Sequence, residues 1–140
     1  MTRLWLMSGS LLGFVAVAAG SFGAHGLKDF FATPVRAVNW ETAVRYCLFH
    51  SLALLIVGLF SALPQAATAR NQLALAGWLF LIGTLLFSGF LAAHSLTGVG
   101  ILAAVVPVGG LLLLIGWVIL SVAGFQMDFR SVNDASDATR

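Results

Sequence analysis

The stretch Gly20-Ser21-Phe22-Gly23-Ala24-His25-Gly26-Leu27-Lys28 marks the place where a long uncharged run ends and charged residues resume. From residue 4 to about residue 23 every residue is apolar or small. That is the roughly 20 residues a helix needs to cross a bilayer. A cleaved signal peptide is the alternative, since Val17-Ala18-Ala19 offers small residues, but the run exceeds the roughly 7–15 residues of a signal core. We interpret it as a first membrane span that reaches water near His25.

The composition of the whole chain supports a membrane protein. The 140 residues are 60% hydrophobic and only 9% charged, with a mean hydropathy of +1.01. A soluble domain carries about 25% charged residues, because its surface needs them. The net charge is +2 without a basic cluster, which excludes nucleic acid as a partner. The lone Cys47 excludes an intramolecular disulfide and offers no metal-ligand spacing.

Four apolar runs predict an all-α integral membrane four-helix bundle with antiparallel, up-down connections. Backbone groups in lipid must pair within the chain, so helices are expected for these runs. The predicted transmembrane domain covers residues 1–125, with a polar tail over 126–140. Its predicted spans are about 4–24, 42–63, 73–94 and 100–124.

Two prolines predict where helices begin or bend. Thr33-Pro34 has the pattern of an N-cap followed by proline at the first helical position. We therefore expect a helix from Pro34 that lies at the membrane interface and turns into the membrane near Ala43. Pro107 lies inside the fourth run and cannot donate to the carbonyl of Ala103, which predicts a kink.

Small residues recur at steps of three, four or seven along the predicted spans. Such steps place them on one face of a helix, and in lipid small residues allow two helix backbones to approach closely. The small residues of the first span would also serve as a contact between two copies of the chain in a homodimer. The predicted helix-packing residues are Gly9, Gly13, Gly20, Gly23, Gly58, Gly77, Gly109 and Gly116.

The arginines and lysines favour one orientation. Four spans place both termini on the same side, together with Arg3, Arg70, Arg130 and Arg140. The opposite side holds Lys28, Arg36 and Arg45. By the positive-inside rule, we expect both termini in the cytoplasm and the protein in a bacterial inner membrane.

Three histidines share the non-cytoplasmic half in this topology. His25 and His94 end the first and third spans, and His50 lies about two turns into the second, one helical turn after Tyr46. Polar groups inside a membrane usually face the bundle interior or a partner. Water or a helix-terminal carbonyl would satisfy His25 and His94, and an interhelical hydrogen bond to Ser88 or Tyr46 would satisfy His50.

Three functional interpretations of these residues remain open beside the structural one. They are a metal site with histidine ligands, a haem held by two histidines, and a quinone or lipid-headgroup pocket with Tyr46 and His50 as polar contacts. The chain has no HxxxH pair, and it has no nucleophile–base set, carboxylate pair or phosphate loop. No catalytic residue and no cofactor is therefore predicted, and haem, quinone and metal stay open.

Four short motifs in order resemble a known family. They are Gly20–Leu27, Tyr46 with His50, Leu86-Phe87-Ser88-Gly89 and Pro107-Val108-Gly109-Gly110. Together they resemble the YgdD-like uncharacterised family of small bacterial inner-membrane proteins, which has a eukaryotic four-span relative. The resemblance implies four membrane helices, cytoplasmic termini and no assigned activity.

The family pattern bears on the candidate site. It corresponds here to Gly20, Phe22, Gly23, His25, Tyr46, His50, Ser88, Gly89, Pro107 and Gly110. The family often has a tyrosine where this chain has Ala92, and His94 lies outside the pattern. The resemblance therefore implies His25 and His50 as the better pair, and we take His25, Tyr46 and His50 as candidate ligand-binding residues.

These observations lead to two hypotheses of different classes. The first is a small accessory or structural subunit of a larger membrane assembly, because small-residue faces exceed what one compact bundle needs. Its partners would be lipids and other membrane subunits, or further copies of itself. The second is a binding or transport protein for a lipid-soluble small molecule or a metal near His25, Tyr46 and His50. Enzymatic activity is the least favoured class.

Overall fold

The computed structural model describes residues 1–27, 30–31 and 33–127. Across these ranges the chain is helical and contains no strand. Within the described residues, four segments are long and apolar enough to cross a membrane: Thr2–His25, Pro34–Ser61, Arg70–Thr97 and Gly100–Gln126. The predicted helical membrane bundle is confirmed. Most of the predicted polar tail, residues 128–140, lies outside the described residues.

The first two spans are single helices. The first is α1 (Thr2–His25) and the second is α2 (Pro34–Ser61), which is followed by a 3-10 turn over Pro64–Ala66. α2 begins at Pro34 as predicted and then runs without a break to Ser61. The turn expected near Ala43 therefore does not interrupt this helix. Trp40 provides a reason, since its indole donates to the Ala19 carbonyl at 3.2 Å and holds the start of α2 against α1.

The third and fourth spans are interrupted helices. The third consists of α3 (Arg70–Thr84), a π-helical turn (Leu85–Gly89) and α4 (Phe90–Thr97). The fourth consists of α5 (Gly100–Ala103) and α6 (Val106–Gln126). Pro107 stands in the first turn of α6, where its missing N–H leaves no helical bond unmade. The fourth span is thus interrupted at residues 104–105, directly before the proline.

The connection between the third and fourth spans is defined by a left-handed glycine and by hydrogen bonds from an arginine of α2. Gly98 ends α4 in the left-handed conformation, with φ of +74°. Arg36 of α2 donates to the carbonyl of Ser95 at 2.6 Å and to that of Leu96. A cation at the C-terminus of a helix pairs with carbonyls that have no helical partner. α2 and α4 are thereby tied together at this end of the bundle.

The bundle consists of two closely packed antiparallel helix pairs, α1 with α2 and α3 with α6, and α2 also packs against α3 and α4. The core contains Trp5, Leu54, Leu73 and Phe80, all fully buried. Trp5 packs on Gly77 and edge-to-face against Trp78 at a centroid distance of 5.3 Å. The core therefore lies between α2, the third span and α6, with Trp5 of α1 inserted against Gly77.

The predicted packing glycines lie against neighbouring helices inside this chain. A Cβ at Gly9 would stand 2.8 Å from the Ser51 carbonyl oxygen, and one at Gly58 would stand 2.8 Å from Leu6. The nearest neighbours are Ser51 and Leu55 for Gly9, Ser51 for Gly13, Val44 for Gly20, Trp40 for Gly23, Leu6 for Gly58, Trp5 for Gly77, Phe87, Gly83 and Leu86 for Gly109, and Phe80 and Leu79 for Gly116. The chain's own helices use these faces.

Candidate functional site

His50 lies near the middle of α2 and is 5% exposed. Its Nδ1 is 2.8 Å from the carbonyl oxygen of Tyr46, one turn earlier in the same helix. Its Nε2 is 3.2 Å from the indole Nε1 of Trp117, on α6. The histidine therefore joins the second span to the fourth.

These two partners determine the protonation of the imidazole. A carbonyl oxygen only accepts, so His50 Nδ1 must carry the proton, and an indole N–H only donates, so Nε2 must accept. Both ring nitrogens are satisfied in the neutral Nδ1–H tautomer. Adding a second proton would put an N–H against the Trp117 N–H, so this geometry holds the histidine neutral.

Aromatic rings surround His50. Tyr46 stacks on Phe87 at a centroid distance of 4.4 Å, and Phe80 contacts Trp117 edge-to-face at 5.1 Å. The His50 ring lies 5.7 Å from Phe80 and 6.0 Å from Trp117. We call Tyr46, His50, Phe80, Phe87 and Trp117 the aromatic cluster. It joins α2, the third span and α6 at one depth.

A groove of about 550 Å³ opens beside this cluster. Tyr46, His50, Phe87 and Trp117 line one part of it, and residues of α6 from Pro107 to Leu114 line the rest. Tyr46 is 38% exposed and Trp117 44% exposed on the outer surface of the bundle. In a membrane that surface meets lipid, so a lipid-soluble molecule can reach the groove from the bilayer.

The structure brings Tyr46 and His50 together but places His25 elsewhere. His25 is the last residue of α1 and is exposed. Gly23, two residues before it, packs on Trp40, ten residues before His50 in α2. At 1.5 Å per helical residue, the ten residues along α2 and the two along α1 put His25 and His50 about 18 Å apart along the bundle axis. His94 also lies at the bundle end, with its Nδ1 3.0 Å from the Val99 carbonyl.

The partner of His50 differs from the one expected from the sequence. Tyr46 does accept a hydrogen bond from His50, through its backbone carbonyl, but Ser88 does not take part and Trp117 does. Sequence reasoning assigned none of Trp117, Phe80 and Phe87 to the site, although Phe87 lies in one of the family motifs. An available signal was the indole of Trp117 inside an apolar span, because a buried or half-buried indole N–H usually finds an acceptor.

The side-chain donors around His50 bear on whether a metal ion or a haem could bind there. No group of three His, Cys, Asp or Glu side chains within residues 1–27, 30–31 and 33–127 is placed to hold a metal ion. His50 Nε2, the nitrogen that would bind iron, already accepts from Trp117. In this arrangement His50 Nε2 is therefore not free to coordinate a metal.

Comparison with known proteins places the chain among membrane proteins. A family model described as "Protein of unknown function (DUF423)" matches residues 19–110. The chain is 40% identical over 121 residues to a UPF0382 membrane protein of Staphylococcus epidermidis, covering 86% of this chain and 94% of that protein. It is 38% identical over 124 residues to a UPF0382 membrane protein of Staphylococcus haemolyticus, covering 89% and 97%. It is 34% identical over 125 residues to one of Staphylococcus saprophyticus, covering 89% and 99%. No solved structure matches the chain.

Proposed function

Because the chain belongs to the DUF423 family of membrane proteins, we propose that it binds a lipid-soluble molecule with a planar polar headgroup, such as a quinone. The proposed site is the groove beside Tyr46 and His50. The proposed location is a bacterial inner membrane with both termini in the cytoplasm, as the arginine distribution favours. The proposed role is binding or carriage of the ligand.

One observation carries this proposal: the groove on the lipid-facing surface has aromatic walls and polar groups at mid-span. Apolar walls with a few placed polar groups are typical of small-molecule sites. Polar side chains at this depth are costly and usually face a partner or a cavity. His50 is buried at the groove and Tyr46 is partly exposed in it. A planar ring with carbonyl oxygens suits that combination.

Each residue then has a distinct part in binding. Tyr46 is the hydrogen-bond donor available to a ligand carbonyl, because both nitrogens of His50 are already engaged. The faces of Phe87 and Trp117 would pack against a ring, and aromatic pairs prefer offset or edge-to-face contact. His50 positions Trp117 through their hydrogen bond. The site needs no protonated histidine.

The accessory-subunit hypothesis has less support from the geometry. It was motivated by small-residue faces in excess of one bundle's needs, but those glycines pack on helices of the same chain. Among the glycines of the described residues, Gly89, Gly100 and Gly124 have open space where a Cβ would lie. They do not form a common face along one helix. The binding hypothesis therefore takes precedence.

A fluorescence titration tests the binding proposal. The purified protein in lipid nanodiscs would be titrated with ubiquinone-1, a short-chain quinone that quenches nearby indoles. We expect saturable quenching that Trp117→Phe largely removes, since Trp5, Trp40 and Trp78 do not line the groove. Tyr46→Phe should weaken binding about fivefold to tenfold, the loss expected for one hydrogen bond.

A matched control separates the groove from general effects. Thr42→Val also removes a hydroxyl from α2, but this hydroxyl bonds only to its own helix, at the Val38 carbonyl. It should leave quinone binding unchanged. Quenching that rises linearly with quinone in every variant would indicate partition into lipid alone and would contradict the proposal.

Native mass spectrometry separates the two functional classes. The ligand proposal predicts one chain, or a homo-oligomer, that carries a discrete extra mass after gentle extraction. That mass should be lost in Tyr46→Phe or displaced by ubiquinone-1. A complex with other membrane subunits and no small molecule would favour the accessory role instead.

A further inference from the structure

The third span carries a second cavity, which meets α2 on a different face from the groove. It has a volume of about 150 Å³ and lies between α1, α2 and the π-helical turn. Tyr46 and Phe87 line the groove, while their chain neighbours Cys47 and Ser88 line this cavity. The contact between α2 and the π-helical turn thus separates two different sites. We call the second one the Ser88 cavity.

The walls of the Ser88 cavity are almost wholly apolar. Small side chains leave the space open, with Ala16 and Ala19 on α1, Ala43 on α2 and Ala92 on α4. Val15 and Leu85 also line it and are 46% and 53% exposed. The mouth therefore lies between α1 and the third span on the lipid-facing surface.

Ser88 is the exception in this wall. It is only 6% exposed, and its Oγ has no hydrogen-bond partner within the part of the chain that the structure describes. Thr84 and Ser95, the other hydroxyl residues buried in this span, donate to carbonyls one turn earlier, at 2.6 and 2.8 Å. Ser88 lies inside the π-helical turn, where this usual bond is not made. Buried polar groups are nearly always paired, and π-helical turns often mark functional sites.

A bound water is a poor partner for this hydroxyl. A stable buried water needs two to four polar neighbours. The hydroxyl of Thr84 already donates to the Phe80 carbonyl, and the Cys47 thiol already donates to the Leu12 carbonyl at 3.6 Å. Trp40, which also lines the cavity, donates to Ala19. Ser88 is therefore the lining residue whose hydroxyl is left without a partner among the described residues.

We propose that the Ser88 cavity binds a compact, neutral molecule from the bilayer, of about single-ring size, with one oxygen that hydrogen-bonds to Ser88. An apolar cavity of about 150 Å³ is large enough for benzene. One unpaired hydroxyl in apolar walls selects for one oxygen on the ligand. The opening toward lipid provides its path of entry. This site is independent of the quinone groove.

A pair of fluorinated probes tests the inference. 4-Fluorophenol and fluorobenzene have nearly the same shape, but only the first carries a hydroxyl. Binding would be followed by fluorine NMR on the full-length protein in phosphatidylcholine nanodiscs, with empty nanodiscs as the measure of partition. We expect saturable binding of 4-fluorophenol to the native protein, about fivefold to tenfold weaker in Ser88→Ala. Fluorobenzene should bind both proteins equally.

Two further variants assign the signal to the cavity. Ala92→Leu should fill it and abolish saturable binding of both probes. Ser121→Ala removes an exposed hydroxyl that bonds to the Trp117 carbonyl of its own helix, and it should change neither. Equal 4-fluorophenol affinity in native protein and Ser88→Ala would overturn the role of the hydroxyl. Signals identical to empty nanodiscs would overturn the site.

The quinone titration distinguishes failure of this inference from failure of the proposed function. Ser88→Ala should leave ubiquinone-1 quenching of Trp117 unchanged, because Ser88 does not line the groove. Loss of quinone binding in Ser88→Ala would show one site where two are proposed, and would contradict the inference. Failure of the native protein to bind quinone would contradict the groove alone.

Discussion

At Gly109, a substitution by alanine should clearly lower the stability of the fold, although it adds only one methyl group. It lies in α6 where that helix meets the π-helical turn of the third span. A Cβ there would overlap the backbone nitrogen of Phe87 and stand 2.9 Å from the Gly83 oxygen and the Leu86 carbonyl carbon. These are backbone atoms, so no side chain can rotate away. Gly109→Ala must therefore push the two spans apart.

The expected change in the free energy of unfolding follows from two opposing effects. Moving the 2.9 Å contacts to a normal separation near 3.5 Å requires a shift of about 0.6 Å, and relieving the closer overlap with the Phe87 nitrogen requires a larger one. Overpacking of this kind costs about 1–3 kcal/mol, and backbone contacts belong at the upper end. Alanine regains about 1 kcal/mol of helix propensity over glycine. The net loss should be about 2 kcal/mol, roughly a 30-fold change in the folded-to-unfolded ratio.

Gly124→Ala provides a matched control on the same helix. Nothing lies within 4 Å of a Cβ at Gly124, so only the propensity gain remains. The free energy of unfolding would be measured by titration with sodium dodecyl sulfate in mixed micelles, followed by far-ultraviolet circular dichroism. Gly109→Ala should unfold at lower detergent fraction than the native protein, and Gly124→Ala at the same or a higher one. Equal stability of the two variants would refute the close backbone contact.

Four further predictions concern two hydrogen-bonded contacts, one backbone conformation and the orientation in the membrane. Trp117→Phe removes the hydrogen-bond donor to His50 and should lower the free energy of unfolding by about 1 kcal/mol in the same titration. No change would mean that this hydrogen bond is not formed in the membrane. Arg36→Met removes the donors to the α4 carbonyls and should lower the free energy of unfolding by about 1–2 kcal/mol. Arg36→Lys should lower it by less, and equal losses in the two variants would contradict the hydrogen bonds to two carbonyls. Gly98→Ala should cost about 1 kcal/mol because φ is +74°, and a stabilised variant would contradict that conformation. A C-terminal green fluorescent protein fusion should fluoresce and an alkaline phosphatase fusion stay inactive, and the reverse result would invert the proposed orientation.

The candidate site shows where sequence reasoning stops. Tyr46 and His50 are one turn apart on one helix, so their proximity follows from helical geometry alone. The sequence also places His25 in the same half of the membrane. Two residues in the same half of a membrane can still lie too far apart to touch. The continuous helix from Pro34 leaves His50 nearer mid-span than expected and separates it from His25. Trp117 meets His50 only because α6 is rotated to present its indole there.

The packing glycines make a related point. Their spacing on one face of each helix predicts close helix contact, since small residues permit it. The same spacing is compatible with a homodimer or a partner subunit, because a helix face does not specify what covers it. In the structure the neighbours are helices of the same chain. That difference changes which functional hypothesis the glycines support.

By itself, the sequence determined that this is a four-span helical membrane protein. The reason is physical: apolar runs of bilayer length must satisfy their backbone hydrogen bonds internally, and a helix does so whatever surrounds it. Only the tertiary structure decided which faces meet, and with them the His50–Trp117 bond and the unpaired hydroxyl of Ser88. The rotation of each helix about its axis depends on packing with all the others, which no local pattern of residues contains.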